Sequence, residues 1–273
     1  MDKRIDLIAA LANVSAYDAE ATRKYVDGAP HIKHASLRQL YGKLVVQVFD
    51  NARKHVKIPL VLDLGAGEGS VTLPFLELGA RVVAVDISSS QLNTLKTKCN
   101  RFAGMLEVRC ESISETLSEK SESYDIVVVN SFLHHIPDYL GLIRKAATIL
   151  NPYGQFFSFQ DPLRYDTLGR ANMMFSKLAY LSWRVFKDDA INGLSRRIRR
   201  YRGIYLENSV YDNAEYHVVR NGVDKDAIQR LFEELRFDCD IVSYFSTQSR
   251  VFQPAGAVLG MKNTFAVVAQ KRM

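Results

Sequence analysis

A glycine-rich turn near residue 63 contains the residues best suited to chemistry in this chain. The apolar run at 60–62 is typical of a buried strand, and Asp-Leu-Gly-Ala-Gly-Glu-Gly-Ser follows it directly at 63–70. Glycines in a strand-to-helix turn let a ligand approach the backbone and meet the N-terminus of a helix. The next apolar run ends in Asp86, about 20 residues after the first glycine, where nucleotide folds place a ribose-binding carboxylate. The spacing predicts a site for an adenosine-containing small molecule.

Two phosphate-binding motifs do not fit this turn. The dinucleotide fingerprint requires glycine at its first, third and sixth positions, whereas here Ser70 is at the sixth position and Gly69 at the fifth. The phosphate-binding loop of nucleoside triphosphatases requires Gly-Lys followed by Ser or Thr, and the turn contains no lysine. Both phosphate-binding interpretations are therefore disfavoured.

Three titratable side chains follow later strands of the pattern. His134 and His135 come after an apolar run at 126–129, and Asp161 comes after the predicted strand at 155–160. The carboxyl ends of parallel strands face one ligand crevice, and histidine titrates near neutral pH. These three residues are the candidates for moving a proton in the crevice.

Alternation of strands and helices must position these residues. Apolar runs and helical spacing predict strands near 60–64, 81–86, 105–110, 124–130, 155–160, 239–245 and 264–269, and core helices near 69–78, 89–101, 113–119, 138–150 and 224–235. Strands separated by helices favour a parallel, doubly wound α/β sheet. The last two predicted strands have no helix between them in this interpretation, so we expect them to pair antiparallel.

The pattern divides the chain into three parts. Residues 1–55 are predicted to form an N-terminal helical lid, and 56–162 with 223–273 the core. Between them, 163–222 lacks a strand series and is rich in aromatic residues and arginine, which predicts a helical insertion after the fifth strand.

Composition restricts the class of protein. Apolar residues make up 47% and charged residues 24% of the 273 residues, which is typical of a globular chain. The three cysteines form no Cys-x-x-Cys pair, so neither a zinc site nor a disulfide framework is predicted. Neither a signal peptide nor an apolar stretch long enough to span a membrane is evident. We expect a cytoplasmic protein without a metal.

The net charge of +6 is concentrated in one segment. Ten Lys or Arg and only three Asp lie between residues 164 and 202. The basic run at 195–202 is predicted to be a solvated helix face, a grip for an anionic group, or a contact with nucleic acid or lipid. No recognised RNA-binding module accompanies it, so nucleic acid is the less favoured partner.

Four segments in the expected order resemble the class I S-adenosylmethionine-dependent methyltransferases. VLDLGAGEG at 61–69 is similar to their glycine motif, and VAVDIS at 83–88 to the strand with the ribose-binding acid. YDIVVVNSFLHHIPD at 124–138 resembles the fourth-strand motif of the small-molecule branch, which includes quinone, sterol and sugar methyltransferases. LIRKAATILNPYG at 142–154 resembles the helix and turn before the fifth strand. The resemblance implies a Rossmann-like seven-stranded sheet with an antiparallel last strand.

The resemblance also implies the cofactor, S-adenosyl-L-methionine, and the residues that bind it. The glycines would close on the methionine part, Asp63 would shape the loop or reach the amino group, and Asp86 would bind the ribose. Glu111 and Ser112 match the adenine position, although the family more often has Asp there, and Asn130 would lie beside the sulfonium. The implied set is Asp63, Gly65, Ala66, Gly67, Asp86, Ile87, Glu111, Ser112 and Asn130.

The implied reaction is methyl transfer to a small molecule, at a hydroxyl oxygen. His135, His134 and Asp161 are the catalytic candidates, since a hydroxyl acceptor must lose a proton. The Leu-His-His pattern occurs in members of the family with very different acceptors, so a purely structural role in the cofactor pocket stays open.

The lid and the insertion are expected to bind an acceptor that is anionic or amphipathic. The candidate substrate-binding residues are Tyr25, His34, Trp183, Arg197 and Arg200. Two other functions stay open at this point: an RNA methyltransferase that uses the basic run for backbone contact, and a non-catalytic relative that binds the cofactor or regulates a partner. The sequence does not identify the acceptor or the oligomeric state.

Overall fold

The computed structural model describes residues 29–118, 123–185 and 221–273. Its strands are β1 (Leu60–Leu64), β2 (Arg81–Asp86), β3 (Leu106–Cys110), β4 (Tyr124–Asn130), β5 (Leu150–Pro162), β6 (Phe237–Tyr244) and β7 (Thr264–Lys271). Its α-helices are α1 (Pro30–Lys33), α2 (Ala35–Arg53), α3 (Thr72–Glu77), α4 (Ser89–Lys98), α5 (Ile113–Thr116), α6 (Tyr139–Thr148), α7 (Arg170–Val185), α8 (Lys225–Glu234) and α9 (Phe252–Val258).

The seven strands form one sheet in the order β3-β2-β1-β4-β5-β7-β6. Parallel pairing joins β1 to β2 and β4, β2 to β3, and β4 to β5. β7 is antiparallel to both β5 and β6. The predicted doubly wound α/β class and the antiparallel last strand are confirmed. Because β1, β2, β4 and β5 run in the same direction, their carboxyl ends meet at one edge of the sheet.

Apolar side chains cover both faces of the sheet and hold this edge in place. One buried cluster joins the sheet to α2, α3 and α4 through residues such as Val48, Phe75 and Leu95. The other joins the opposite face to α6 and α8 through residues such as Ile143 and Phe232. Strands buried on both faces appear in the sequence as continuous apolar runs, which is why the pattern located β1, β2 and β4.

Two elements differ from their sequence-based predictions. β5 begins at Leu150, five residues before the predicted start, because Asn-Pro-Tyr-Gly at 151–154 forms an irregularity within the strand. Tyr153 has a φ of 63° there, and pairing with β4 resumes at Gln155. The loop before β7 also contains a helix, α9, whose Pro, Gly and small residues gave no helical signal.

The two ends of the predicted insertion lie side by side. Leu163 forms a parallel bridge with Val223, and the amide of Tyr165 donates to the carbonyl of Asn221 at 2.7 Å. The Arg164 guanidinium pairs with Asp224 at 3.1 Å and with Asp166. The chain therefore leaves and rejoins the core at one point. The first part of the predicted insertion, α7, is helical; the predicted contacts of Tyr25, Arg197 and Arg200 lie outside the described residues.

Candidate functional site

The glycine turn leaves β1 and wraps around the end of β2. The amides of Gly65 and Ala66 both donate to the carbonyl of Val85, at 2.9 and 3.0 Å. Gly65, Gly67 and Gly69 have φ values of 76°, 52° and 85°, a region that L side chains rarely adopt. A Cβ added at Gly65 would lie 2.7 Å from the ring of Phe132, at the end of β4. Glycine is therefore required at Gly65 both by the backbone angle and by the closeness of Phe132.

Replacing Gly65 tests this packing. We expect Gly65→Ala to lower the free energy of unfolding in urea by about 1–3 kcal/mol, the usual range for a non-glycine residue in the left-handed region. Gly42, within α2, is the matched control, because a Cβ there meets nothing within 4 Å. We expect Gly42→Ala to raise stability by about 0.5–1 kcal/mol. An unchanged or increased stability of Gly65→Ala would contradict the structural account.

Asp86 ends β2 and organises the turn through its side chain. One carboxylate oxygen accepts from the amide of Gly67 and the other from the amide of Ser88, both at 2.9 Å. A carboxylate has about four acceptor positions, so the same group can also accept from two ribose hydroxyls. Ile87 follows directly, and its carbonyl is 3.8 Å from the Cys110 sulfur.

Glu111 and Ser112 follow β3, next to the end of β2. The register pairs Asp86 with Cys110, so Glu111 lies one position beyond Asp86 on the neighbouring strand. The Thr116 hydroxyl donates to Glu111 at 2.9 Å. Ser112 caps α5 in a reciprocal capping box with Glu115, so its amide and hydroxyl already serve a structural purpose. The predicted adenine contact is therefore better placed on Glu111 than on Ser112.

Asp63 is buried within β1 beneath the turn. Its carboxyl accepts from the Thr72 hydroxyl at 2.6 Å. Burial raises the pKa of Asp63 from 3.8 to about 7, the Thr72 hydrogen bond opposes the rise, and the charge of Asp86 adds to it. Asp63 thereby ties the turn to α3, and its role towards the cofactor stays a prediction.

The raised pKa of Asp63 has a consequence for stability. Between pH 4 and 7 the unfolded chain releases the Asp63 proton while the folded chain keeps it, so rising pH favours the unfolded state. We expect the contribution of Asp63 to the free energy of unfolding to fall by about 4 kcal/mol between pH 4 and 7, since one pKa unit corresponds to about 1.4 kcal/mol. Urea unfolding of wild type and Asp63→Asn at several pH values measures the difference. A constant difference between the two proteins from pH 4 to 8 would contradict the assignment.

Asn130 ends β4 beside the turn, and Phe132 follows it. The Asn130 side-chain oxygen is buried and has no hydrogen-bond partner among the residues that the structure describes. A buried acceptor without a partner is costly and uncommon, which fits a group that binds a ligand. Ser131 has a φ of 51° and donates its amide to the carbonyl of Phe159 at 2.7 Å. The strand end is thereby fixed with Asn130 next to the glycine turn.

His134 and Asp161 meet across the ends of β4 and β5. The Asp161 carboxylate accepts from the Nδ1 atom of His134 at 2.8 Å and from its backbone amide at 3.2 Å. Asp161 is completely buried, which raises its pKa, whereas the hydrogen bonds from His134 lower it. The second carboxylate oxygen is buried without a partner among the described residues. A carboxylate on Nδ1 fixes the imidazole tautomer and leaves Nε2 as the basic nitrogen.

His135 lies beside this pair in a different environment. Its ring centre is 4.1 Å from that of His134. Burial, with a smaller effect from His134, holds the pKa of His135 well below its ordinary value. A base of such low pKa accepts a proton poorly near neutral pH, so the geometry favours the His134–Asp161 pair over His135 as the proton acceptor.

The conformation of Gln160 places Asp161. Gln160 has a φ of 70°, and the regular pairing of β5 with β7 is interrupted between Ser158 and Asp161. The Tyr244 hydroxyl accepts a hydrogen bond from the backbone amide of Gln160 at 3.0 Å, and the side-chain amide of Gln160 donates one to the Ser246 hydroxyl at 2.6 Å. Non-glycine residues in this region persist when their surroundings hold them and are concentrated at functional sites.

Comparison with known proteins agrees with this geometry. Residues 62–158 match the family model described as a methyltransferase domain. The matched segment makes up 97 of the chain's 273 residues and is similar to a methyltransferase domain. The matched segment runs from β1 into β5 and includes the glycine turn, Asp86, Asn130 and His134. The prediction of a class I, S-adenosylmethionine-dependent methyltransferase from the four sequence segments is confirmed.

The relatives of this methyltransferase domain include enzymes acting on small molecules. A ubiquinone biosynthesis O-methyltransferase of Xanthomonas campestris pv. campestris is 31% identical over 97 residues, which are 36% of this chain and 41% of that protein. The match thus spans about two fifths of the length of this curated relative.

Solved structures share the fold of the methyltransferase domain. An O-methyltransferase family protein from Burkholderia thailandensis aligns over 94% of this chain and 62% of its own, with a TM-score of 0.58 and 13% identity. Magnesium protoporphyrin IX methyltransferase from Synechocystis PCC 6803, solved with bound SAH, aligns over 96% and 99%, with a TM-score of 0.55 and 14% identity.

His31 of α1 was not identified as a site residue from the sequence. It is buried against the rings of Tyr41 and Phe159, whose centres are 5.8 and 6.0 Å away. Neither of its ring nitrogens has a hydrogen-bond partner within the described parts of the chain. Burial lowers the pKa of His31 to about 4, so its ring is neutral at pH 7. A lone histidine gives no sequence signal that separates this position from an exposed one.

The predicted substrate contacts His34 and Trp183 lie near the same edge of the methyltransferase domain. The Nε2 atom of His34 is 2.9 Å from the carbonyl of Thr247, in the loop after β6. Trp183 is half-buried near the end of α7, and the preceding residue, Ser182, donates to Ser249 in that loop at 3.0 Å. The loop at 245–250 is therefore flanked by the N-terminal helices on one side and α7 on the other.

The described residues contain neither a cluster of metal ligands nor a membrane-spanning helix. In 29–118, 123–185 and 221–273, no three His, Cys, Asp or Glu side chains are grouped so that they could hold a metal ion. No helix within those same ranges is long and apolar enough to cross a bilayer.

Proposed function

We propose that this protein transfers the methyl group of S-adenosylmethionine to a hydroxyl oxygen of a small organic acceptor. The hydrogen-bonded pair of partly buried His134 and fully buried Asp161, at the ends of β4 and β5, carries the proposal. A carboxylate-supported histidine beside the cofactor crevice is the arrangement that a reaction needs when the acceptor must lose a proton. The name of the Xanthomonas relative, an O-methyltransferase, supports the same type of acceptor atom.

The residues of the turn and the strand ends fit the cofactor. The left-handed glycines let the backbone approach the methionine part, and Asp86 offers acceptors for both ribose hydroxyls. The Asn130 oxygen, which has no partner among the described residues, would lie beside the sulfonium, as the resemblance implies. The bound cofactor supplies a methyl group on a positively charged sulfur, which is the leaving group.

His134 removes the proton from the acceptor in this proposal. Asp161 holds the proton on Nδ1, so Nε2 is the atom that accepts the hydroxyl proton, and the buried carboxylate stabilises the resulting imidazolium. The low pKa of His135 makes it unsuited to that step but suited to a neutral contact. The neutral ring of His31 and the side chains of His34 and Trp183 form the acceptor side of the crevice.

Labelling identifies the acceptor class. The protein is incubated with methyl-labelled S-adenosylmethionine and fractionated cell extract, and the label is located in small molecules, RNA or protein. Label in a small molecule, at an oxygen by mass spectrometry, is the expected result. Label in RNA would favour the alternative that uses Arg197 and Arg200 for backbone contact. Cofactor binding without transfer to any fraction would indicate a non-catalytic relative.

A further inference from the structure

α9 presents an apolar surface to solvent. Val258 is 87% exposed, Val251 70% and Leu259 60%. Pro254, Ala257 and Gly260 on the same short stretch are also exposed, and none of these residues is charged or polar. A surface helix normally turns charged and polar residues outward, so an outward face made only of apolar residues marks an interaction site.

α7 adds a second apolar stripe next to α9. Its inner face packs on the loop through Phe175, whose ring centre is 5.3 Å from those of both Phe245 and Phe252. Met174, Leu178 and Leu181 are exposed, and their spacing of four and three residues puts them on one side of the helix. The two exposed faces therefore belong to helices that touch each other.

The charged residues in the two stretches of chain that form these faces have one sign. No Asp or Glu occurs at 167–185 or at 241–273. Arg250 and Lys262 stand at the two ends of α9, and Arg170 and Lys177 lie on α7, and all four are exposed. Exposed apolar side chains bordered by Lys and Arg, with no acidic residue within these two stretches of the chain, are the pattern of helices that lie in the interface of an anionic bilayer.

We propose that α7 and α9 together form a docking surface for the anionic surface of a lipid bilayer. The apolar side chains of both helices enter the headgroup region, and the four cations pair with lipid phosphates. The surface lies at the carboxyl edge of the sheet, since Ser182 of α7 and His34 both contact the loop that leads to α9. Docking would turn the acceptor side of the crevice towards the lipid. The proposal does not depend on methyl transfer.

Vesicle sedimentation tests the docking surface. The full chain is mixed with phosphatidylcholine vesicles, with or without about 30 mol % phosphatidylglycerol. We expect binding to the anionic vesicles and little to the neutral ones. Val258→Asp with Leu259→Asp should weaken the partition at least about tenfold, because charge is placed in the apolar contact. Arg250→Glu with Lys262→Glu should abolish the preference for anionic lipid.

Ile58→Asp is the matched control for the substitutions in the docking surface. Ile58 is 48% exposed at the opposite edge of the sheet, before β1, so Ile58→Asp should bind vesicles as the wild type does. Circular dichroism and cofactor titration confirm that each variant is folded. Equal binding of wild type and the Val258→Asp, Leu259→Asp variant would overturn the proposal. So would a dimer, seen by light scattering, that this variant separates, because a second copy would then cover the surface.

Discussion

Asp161→Asn should reduce the rate of methyl transfer by about 100- to 10,000-fold while cofactor binding stays unchanged. Asp161 touches His134 at 2.8 Å, and an asparagine there no longer fixes the imidazole tautomer or stabilises its charged form. A general base contributes roughly that range of rate. Initial rates with labelled S-adenosylmethionine measure methyl transfer, and calorimetric titration with S-adenosylhomocysteine measures cofactor binding.

The pair should behave as one unit. His134→Ala should lose about as much rate as Asp161→Asn, and the double variant should lose little more, because both substitutions disable the same base. Glu234→Gln is the control, since that carboxylate forms an exposed ion pair with Arg144 and lies just before β6 begins, at the opposite edge of the sheet. Wild-type rates for both Asp161→Asn and His134→Ala would refute the general base, and a loss confined to His135→Ala would transfer the role to His135.

Asp86→Ala should weaken cofactor binding by about 100-fold or more. The substitution removes the acceptors for the ribose hydroxyls and also those for the amides of Gly67 and Ser88. Hydrogen bonds to a charged group contribute about 1.5–3 kcal/mol each, and about 2.7 kcal/mol corresponds to 100-fold in affinity. Titration with S-adenosylhomocysteine gives the dissociation constant directly.

The rate at saturating cofactor separates this role from catalysis. We expect Asp86→Ala to regain most of the wild-type rate at high cofactor concentration, because Asp86 lies at the ribose and not at the methyl group. Glu107→Gln on the neighbouring strand, whose side chain is 56% exposed, should bind as the wild type does. An affinity of Asp86→Ala within about twofold of the wild type would contradict the ribose assignment.

The sheet could be predicted from the sequence wherever burial leaves a continuous apolar run. β1, β2 and β4 are such strands, and their predicted bounds coincide with the observed ones. β5 is different, because Asn-Pro-Tyr-Gly has the composition of a turn and only pairing with β4 on both sides of it shows that the strand continues. α9 was missed for a related reason, since its Pro and Gly residues have low helix propensity and the contact of Phe252 with Phe175 of α7 is not visible in the sequence.

The site was predictable in its types of residue but not in its pairing. His134 and Asp161 were both recognisable as polar residues at strand ends, yet 27 residues separate them, and the left-handed Gln160 that turns Asp161 towards His134 has no sequence signal. The choice between His134 and His135 depends on burial, which adjacent residues in a sequence do not reveal. His31 becomes a candidate only because the fold buries it without partners.

The place of β7 in the sheet determines the order in which this chain can fold. β7 follows the other six strands along the chain, yet it lies between β5 and β6 and pairs with both. While the ribosome is still producing residues before 264, β5 has an open edge and β6 has no neighbour. Open edges invite pairing with other chains. We therefore expect the nascent protein to need protection by chaperones until β7 emerges, and conditions that slow synthesis between β6 and β7 to increase aggregation.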